Sequence, residues 1–342
     1  MNEKEKRKGI FRLLTRPPWR TIIPAFVFVF LFLIWYPLWS PGKNIVDGRH
    51  NLKQNGVWIQ HGWLGDDIWF EQNNKNKELF RSQVQIEKLA SVLKRNDIQY
   101  VFPHLCPCKR DGTLPSIDSE QTKLFLDEMA GFKILPWIGG VLDEHVVLSS
   151  QEWRKNFIQS IIDLLHKYPQ FDGVHINIEP LPSGTEEFIV LIKDLQEQLP
   201  KDKMVSIAAY PPPTRFHSFP DVHWEKTYYQ RIDRYADQIV VMMYDTAIQW
   251  EKVYQSTMSK WTREVLDWAP NAMILFGISG YDDDFDYHNP RIENIENGLL
   301  GIHAGLSQFR KLPNNYTGIA IYCEWEMTDE KWDIFEKMYL KK

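Results

Sequence analysis

The sequence predicts an α/β fold, a (β/α)8 TIM barrel preceded by a single N-terminal transmembrane helix. From about residue 56 onward, eight short apolar runs alternate with amphipathic stretches. Such alternation is typical of a parallel sheet covered by helices, and closure into a barrel is its natural solution. The 342 residues are enough for one barrel of this kind with a large core.

The N-terminal segment combines a basic tail with a long uncharged stretch. Residues 1–20 hold seven Lys or Arg against two Glu, and residues 21–42 hold no charge. A helix of these 22 uncharged residues would reach ~30 Å, enough to cross the hydrocarbon core. The bulky sequence "WYPLWSPG" lacks the small residues of a signal-peptide cleavage site. We therefore expect residues 21–42 to be an uncleaved signal anchor.

The charge distribution predicts the orientation of the chain. A basic flank stays on the cytoplasmic side of an apolar span, which would make this a single-pass protein of the cell membrane with an extracytoplasmic barrel. Residues 43–55 would form a short linker. The whole chain has a net charge of -5, so the part beyond the basic tail has about ten more acidic than basic side chains. Such a surface is a poor partner for nucleic acid.

The three cysteines are too few for a disulfide framework in a chain of this size. His104, Cys106 and Cys108 in "HLCPC" have the character of metal ligands, but no further ligand stands at a recognisable spacing. Two buried thiols or one local disulfide explain this motif better than a metal site. We expect neither a metal nor another cofactor.

The eight apolar runs predict the strands of a barrel over residues 56–342. They are 56–62, 98–105, 132–140, 171–179, 204–210, 238–245, 273–281 and 318–325. The clearest helices are 186–199 and 260–269, where apolar residues recur with helical spacing. An open doubly wound sheet is the alternative fold, but no G-x-G-x-x-G follows the first run.

Polar and aromatic residues collect where these runs end, which is where parallel barrels place their reactive groups. In chain order they are His61, His104, Trp137, Gly139, Gly140, Asn177, Glu179, Tyr210, Tyr244, Asp245, Tyr281, Tyr322, Glu324 and Trp325. In "FDGVHINIEP" the spacing of two directs His175, Asn177 and Glu179 to the same side of the strand, into the barrel. A carboxylate in that place is either functional or part of a structural ion pair.

Two motifs carry a resemblance to family 18 glycoside hydrolases, the chitinase-like barrels. The fourth strand of that family carries D-x-x-D-x-D-x-E, and this chain has Asp172, His175, Asn177 and Glu179 at those positions. The sixth-strand motif M-x-Y-D is present as "MMYD", residues 242–245. The resemblance covers about residues 56–342.

Two further positions resemble the family in part. The third-strand S-x-G-G is matched by "WIGG", with Trp137 in place of Ser. The eighth-strand Trp that floors the sugar site of the family falls nearest Tyr322, with Trp325 three residues on.

The resemblance implies hydrolysis of a bond next to an N-acetylated sugar, with the acetamido oxygen of the substrate as nucleophile and with retention of configuration. Glu179 would be the general acid. Asn177 would orient the acetamido group, Tyr244 would donate a hydrogen bond to its oxygen, and Asp245 would help to hold it. The residues expected to bind substrate are His175, Trp137, Tyr210, Tyr281, Tyr322 and Trp325.

The two replaced aspartates leave other functions open. His175 and Asn177 remove the negative neighbours that help to keep a catalytic Glu protonated. Yet an Asn two residues before a Glu also resembles family 85 endo-N-acetylglucosaminidases, which use an oxazoline mechanism. Barrels with an Asn-Glu pair and a nucleophilic Glu on strand seven fit less well, because Ile178 interrupts the pair and strand seven ends in Tyr281 and Asp282.

Two hypotheses of other kinds remain. The first is a barrel that binds N-acetylated glycans without hydrolysis, because aromatic platforms bind sugars without an acid. The second is a metal-dependent hydrolase using His61, His104 and His175, which lacks an H-x-H motif or a bridging carboxylate.

Overall fold

The computed structural model describes residues 19–215 and 222–341, and the chain divides into two compact units between Pro41 and Gly42. In the first unit, helix α1 (Trp19–Leu38) exposes large apolar side chains such as Phe26 and Phe28. Nearly all of the predicted basic tail lies outside the described residues. No helix within the described ranges is both long and apolar enough for a membrane span. The predicted transmembrane helix therefore has no support from the structure.

The second unit is built on one parallel sheet. Its strands are β1 (Asn55–Ile59), β2 (Ile98–Pro103), β3 (Lys133–Ile134), β4 (Trp137–Val141), β5 (Gly173–Glu179), β6 (Met204–Ala209), β7 (Gln238–Met242), β8 (Met273–Ser279) and β9 (Tyr316–Tyr322). Their order across the sheet is β3-β2-β1-β9-β8-β7-β6-β5-β4. Every predicted strand is present, and the third is divided into β3 and β4.

The sheet curls so that its two ends approach each other. A parallel bridge pairs His104, which follows β2, with Trp137 of β4, and Leu105 N donates to Trp137 O at 2.8 Å. Pro136, which has no N–H to donate, lies at the break between β3 and β4. The result is a TIM-barrel-like α/β fold.

Helices follow most of the strands and cover the outside of the sheet. They are α2 (Asp67–Gln72), α3 (Gln83–Arg95), α4 (Ser119–Glu128), α5 (Gln151–Lys167), α6 (Glu186–Gln198), α7 (Lys226–Ile232), α8 (Glu251–Trp268), α9 (Ile295–Leu306) and α10 (Asp329–Phe335). The chain ends in a short π-helical turn, Glu336–Leu340. The helix predicted at 186–199 is confirmed as α6, whereas the one predicted at 260–269 is wrong at its start, because α8 begins at Glu251.

Two apolar clusters lie on opposite faces of the sheet, as the alternation of side chains requires. Val174, Ile176 and Ile178 of β5 belong to the larger cluster, which the helices cover. The smaller cluster fills the inside of the curl with residues such as Trp58, Phe102 and Leu275. The predicted division of β5 into a helix-facing and an inward face is confirmed.

A buried polar chain crosses the inside of the curl at His175. Trp58 Nε1 donates to His175 Nε2 at 3.1 Å, and His175 Nδ1 lies 2.8 Å from Ser206 Oγ, which donates to Gln238 Oε1 at 2.7 Å. This pattern is consistent with a neutral ring protonated on Nδ1. Burial lowers the pKa of His175 to about 3, so the ring stays neutral at physiological pH. His175 can therefore be buried in the barrel interior, because both of its ring nitrogens have hydrogen-bond partners within the protein.

The cysteines are all buried and free. Cys106 Sγ lies 3.3 Å from Trp137 O, and Cys108 Sγ lies 3.8 Å from His145 O. Burial raises the pKa of both thiols, which keeps them protonated. The sequence left open two buried thiols or one local disulfide at Cys106 and Cys108, and the structure contains the two buried thiols.

Close packing at the start of β5 generates a stability prediction. A Cβ on Gly173, whose φ is +151°, would lie 2.0 Å from Met204 O on the neighbouring strand. We expect Gly173→Ala to lower the free energy of unfolding by ~3 kcal/mol or more, measured by urea denaturation. The matched control is Gly184→Ala, because Gly184 also has a positive φ (+87°) but has no atom within 4 Å of the added Cβ. Equal losses in the two variants would show that backbone conformation alone, and not the strand contact, sets the cost.

Candidate active site

Glu179 occupies the carboxyl end of β5, where its side chain reaches solvent while the rest of the strand is buried. Asn177 Nδ2 donates to Glu179 Oε1 at 2.7 Å, and Tyr210 OH donates to Glu179 Oε2 at 3.2 Å. Both carboxyl oxygens are therefore held in place by side chains from β5 and from the residue that follows β6.

The surroundings of Glu179 favour its protonated form. Although part of the Glu179 side chain is exposed, partial loss of water around its carboxyl group raises its pKa, and the negative charge of Asp245 raises it further. The hydrogen bonds from Asn177 and Tyr210 act in the opposite direction, but the net change in pKa is upward. Because an acid catalyst must carry its proton, this upward shift suits Glu179 to that role.

The second predicted motif follows β7, and its residues Tyr244 and Asp245 line the same cavity as Glu179. The Tyr244 ring stacks on the Tyr322 ring with centroids 5.2 Å apart. Tyr281 OH donates a hydrogen bond to Asp245 Oδ1. Burial raises the pKa of Tyr244 and of Tyr281, so both hydroxyl groups remain hydrogen-bond donors across the physiological range.

A buried imidazole and a buried acid lie close to Asp245. His288 Nδ1 lies 3.0 Å from Asp245 Oδ1 and 3.9 Å from Glu293 Oε2. The Glu293 oxygens accept from Thr246 N at 3.2 and 3.0 Å. Burial raises the pKa of Glu293 to about 7. The backbone at Asp245 lies in the left-handed region, with φ of 58°.

Two cavities meet at Glu179. One, of about 410 Å³, is lined by Tyr210, Tyr244 and Asp245 together with the outer residue Tyr287. The other, of about 370 Å³, is lined by His61, His104, Trp137 and Asn177. Glu179 lines both cavities, so its carboxyl group lies between two spaces that could each hold part of a ligand.

A ladder of aromatic rings forms the wall of the second cavity. His61 stacks on Trp69 with ring centroids 3.8 Å apart. The His61 and His104 rings are tilted by 41° with centroids 3.7 Å apart, and the centroid of His104 lies 4.0 Å from that of Trp137. His61 Nδ1 is paired with the buried carboxylate of Asp66. Burial and the nearby His61 charge lower the pKa of His104. The wall therefore offers flat faces and ring nitrogens to a ligand.

The structure brings most of the predicted site residues together. Asn177, Tyr210, Tyr244, Asp245 and Trp137 line the two cavities around Glu179. Tyr322 contacts both Trp137 and Tyr281, and Trp325 packs against Tyr322 at 5.9 Å.

Four predicted site residues line neither cavity: Tyr281, Tyr322, Trp325 and His175. Of these, His175 lies deepest. It has no solvent-exposed surface, and both of its ring nitrogens are engaged by Trp58 and Ser206. The rings of His61 and His104 contact each other, but His175 forms its contacts inside the curl, so these three imidazoles do not form one cluster.

Sequence reasoning missed four residues of the site: Trp69, Tyr287, His288 and Glu293. Trp69 lies on α2 rather than at a strand end. The other three follow β8 in a loop rich in aspartate, "YDDDFDYHNPRIE". Its mixture of aromatic and acidic residues was the available signal, but periodicity gives no reason to place such a loop over the site.

Solved structures with a similar fold include glycan-degrading enzymes. The Bacillus cereus spore cortex-lytic enzyme SleL has a TM-score of 0.55 and 12% identity, covering 84% of this chain and 74% of that one. A chitinase from Chromobacterium violaceum ATCC 12472 has a TM-score of 0.54 and 12% identity, covering 84% and 99%. A chitinase from Rhizomucor miehei has a TM-score of 0.53 and 13% identity, covering 83% and 99%. At these identities the likeness shows the fold.

Sequence comparison is more specific. A protein described as an uncharacterized glycosylase, YvbX of Bacillus subtilis (strain 168), is 23% identical over 145 residues, which span 41% of this chain and 42% of that protein. The match thus covers less than half of either protein. The family model described as "Glycosyl hydrolases family 18" matches residues 70–338, which include Glu179 and every residue that lines the first cavity, and the chain therefore belongs to glycosyl hydrolases family 18.

Proposed function

We propose that this protein hydrolyses glycosidic bonds next to N-acetylglucosamine units in glycans, by a substrate-assisted retaining mechanism in a closed (β/α)8 barrel. The observation that carries the proposal is the position of Glu179, whose carboxyl group lies between two cavities with its pKa raised. Family membership supports a glycosidase.

The proposed reaction has two steps. In the first, Glu179 gives its proton to the glycosidic oxygen while the acetamido oxygen of the substrate attacks the anomeric carbon, so that the glycosidic bond breaks and an oxazolinium ion forms. In the second, the Glu179 carboxylate takes a proton from water. The water oxygen attacks the same carbon, and the bond between that carbon and the acetamido oxygen breaks, which opens the oxazolinium ring. Two inversions give net retention.

Other side chains would position the acetamido group. Tyr244 OH donates to its oxygen, and Asn177 and Asp245 fix its orientation, so that the nucleophile is held next to the anomeric carbon. Trp137, Tyr322 and Trp325 supply ring faces for the sugar, while Tyr210 and Tyr281 hold Glu179 and Asp245. His175 is not included as a substrate contact, because it is fully buried beneath this layer.

Binding without hydrolysis is the second candidate function. It is favoured by Asn177, a neutral amide whose N–H group is already bonded to Glu179 Oε1. An amide stabilises a developing positive charge less well than a carboxylate does. A barrel with this substitution would still offer the same ring faces to a glycan.

The location of the protein is also a proposal. The basic residues before an uncharged stretch support a tether at residues 21–42 with the barrel outside the cytoplasmic membrane. We expect protease added to spheroplasts to release a fragment that begins near residue 45, detected by N-terminal sequencing. Protection of the barrel until the membrane is lysed would contradict the proposed orientation.

The role of Glu179 is tested by Glu179→Gln, which removes the proton donor and keeps the volume. We expect at least ~100-fold slower release of reducing ends from N-acetylglucosamine oligosaccharides, with the melting temperature nearly unchanged. Glu187→Gln, an exposed change in the first turn of α6, is the matched control and should retain activity. Loss of folding with normal activity per folded molecule would make Glu179 a structural residue.

The Asn177–Glu179 hydrogen bond generates a prediction about pH. Asn177→Asp replaces an N–H donor by a negative charge, and both changes raise the pKa of Glu179 further. Because activity is lost as pH rises through the pKa of the acid, the alkaline limb of the pH–rate profile should move to higher pH. Asn177→Ala should instead lose most activity, since one of the two side chains that fix the orientation of the acetamido group is then missing. An unmoved alkaline limb in Asn177→Asp would contradict Glu179 as the acid.

Measurement of hydrolysis distinguishes the two candidate functions, a glycosidase and a glycan-binding protein. A hydrolase releases reducing ends and binds a thiazoline that mimics the oxazolinium ion. A binding protein shows no turnover in any variant at residue 177, yet it binds N-acetylated oligosaccharides in a manner that depends on Tyr244. If neither hydrolysis nor oligosaccharide binding is observed, both candidate functions fail.

A further inference from the structure

A loop at the outer edge of the first cavity exposes aromatic side chains that the proposed reaction does not use. In this rim loop, residues 282–287, Phe285 is 46% exposed and Tyr287 is 45% exposed. Their rings stack on each other with centroids 5.2 Å apart and planes 20° apart. On the loop after β7, Trp250 is 57% exposed. Exposed large rings beside a cavity are typical of surfaces that bind a ligand.

The rim loop that carries these exposed rings is fixed by contacts at both of its ends. Lys331 Nζ holds one end, 2.7 Å from Asp282 Oδ2 and 2.8 Å from Gly280 O. The other end is a tight turn in which Phe285 and His288 exchange two backbone hydrogen bonds, each of 3.0 Å. The rings are thus presented by a backbone that is bonded on both sides of them.

The rim loop is also bonded to the loop that carries Trp250. Ala247 N donates to Tyr287 O at 2.8 Å, and Asn289 Nδ2 donates to Gln249 Oε1 at 2.7 Å. The exposed rings therefore belong to one continuous surface. Since Tyr287 also lines the cavity that contains Glu179, this surface continues outward from the candidate active site.

Carboxylates surround these rings. Asp283, Asp284 and Asp286 are exposed, and in the part of the chain that the structure describes no salt bridge joins them to a basic side chain. Ring faces together with carboxylate acceptors suit a sugar, whose C–H faces stack on rings and whose hydroxyl groups donate hydrogen bonds. The same three charges repel a ligand that carries carboxylates.

We propose that the rim loop and Trp250 form a binding subsite for further units of an extended N-acetylglucosamine chain, and that this subsite selects against sugars bearing a carboxylate. The inference deepens the proposed function and rests on it for the identity of the glycan. The substrate class is thus a polymer that is uncharged or cationic on this side of Glu179.

The test of the subsite is a binding measurement that needs no turnover. In the Glu179→Gln background, the affinities for an N-acetylglucosamine disaccharide and hexasaccharide are measured by calorimetry. Adding Phe285→Ala or Trp250→Ala should weaken hexasaccharide binding by about five-fold each, the usual contribution of one ring contact, with the disaccharide affinity unchanged. Val84→Ala, which removes a still more exposed apolar side chain on α3, should affect neither ligand.

The outcomes separate this inference from the proposed function. An inactive protein whose hexasaccharide binding still depends on Phe285 and Trp250 would reject hydrolysis and support the subsite. Unchanged hexasaccharide affinity in both ring variants would overturn the subsite, as expected if the patch serves a protein partner, even if hydrolysis is observed.

The charge selection has its own test. We expect the parent to bind the neutral hexasaccharide several-fold more tightly than a chain of equal length whose alternate units carry a lactyl carboxylate. Changing Asp283, Asp284 and Asp286 to Asn should narrow this difference, as should added salt. A control with the same change of charge replaces Asp163, Glu197 and Asp202, exposed acids at the opposite edge of the barrel, by amides. Glu197 and Asp202 differ from the rim acids in lying 3.8 and 3.1 Å from Lys193 and Lys203. Equal narrowing in the control, or no preference in the parent, would overturn the selection.

Discussion

The hydrogen bond between Asn177 and Glu179 is the interaction on which the candidate site depends. It joins two side chains two residues apart on β5, and it fixes the one carboxyl group that both cavities share. In the motif that this strand resembles, two aspartates stand near the acid. Here an amide and a neutral imidazole stand in their places. The pKa of Glu179 is therefore raised by loss of water around its carboxyl group and by the negative charge of Asp245. Asp245 in turn accepts a hydrogen bond from Tyr281, which follows β8, and its Oδ1 atom lies 3.0 Å from His288 Nδ1.

The sheet could be predicted because its signal is local. Buried parallel strands give short apolar runs, and each run stands where a strand is observed. The division at Pro136 was not predicted, because the apolar run continues through it. The early start of α8 was hidden for another reason: its first half buries Gln255 and Ser259. The backbone of α8 lies close to α9 here, since a Cβ on Gly301 would lie 2.7 Å from Gln255 O. Helices in such close contact pack through small and polar residues, which give no apolar periodicity in the sequence.

The sequence correctly predicts which face of the sheet carries the site residues, but it does not predict how far each residue lies from the cavities. Spacing of two correctly directs His175, Asn177 and Glu179 inward, but it does not tell which of them reaches the cavity. A step of two residues along a strand is ~6.6 Å, so His175 lies two such steps below the acid and is enclosed by Trp58 and Phe102. Trp69, Tyr287, His288 and Glu293 come from a helix and a loop whose positions depend on the whole fold, and no strand pattern contains that information.

The two cavities differ in chemistry, and this difference bears on how a chain would lie across Glu179. One wall is a ladder of imidazole and indole rings backed by the buried pair His61 and Asp66. The other is formed by tyrosines and continues into the exposed rings and carboxylates of the rim loop. An acid at the closed end of a pocket serves the terminal bond of a chain, since only one side has room for sugar. An acid between two cavities has room on both sides of the bond, which is the arrangement required for cleavage within a chain.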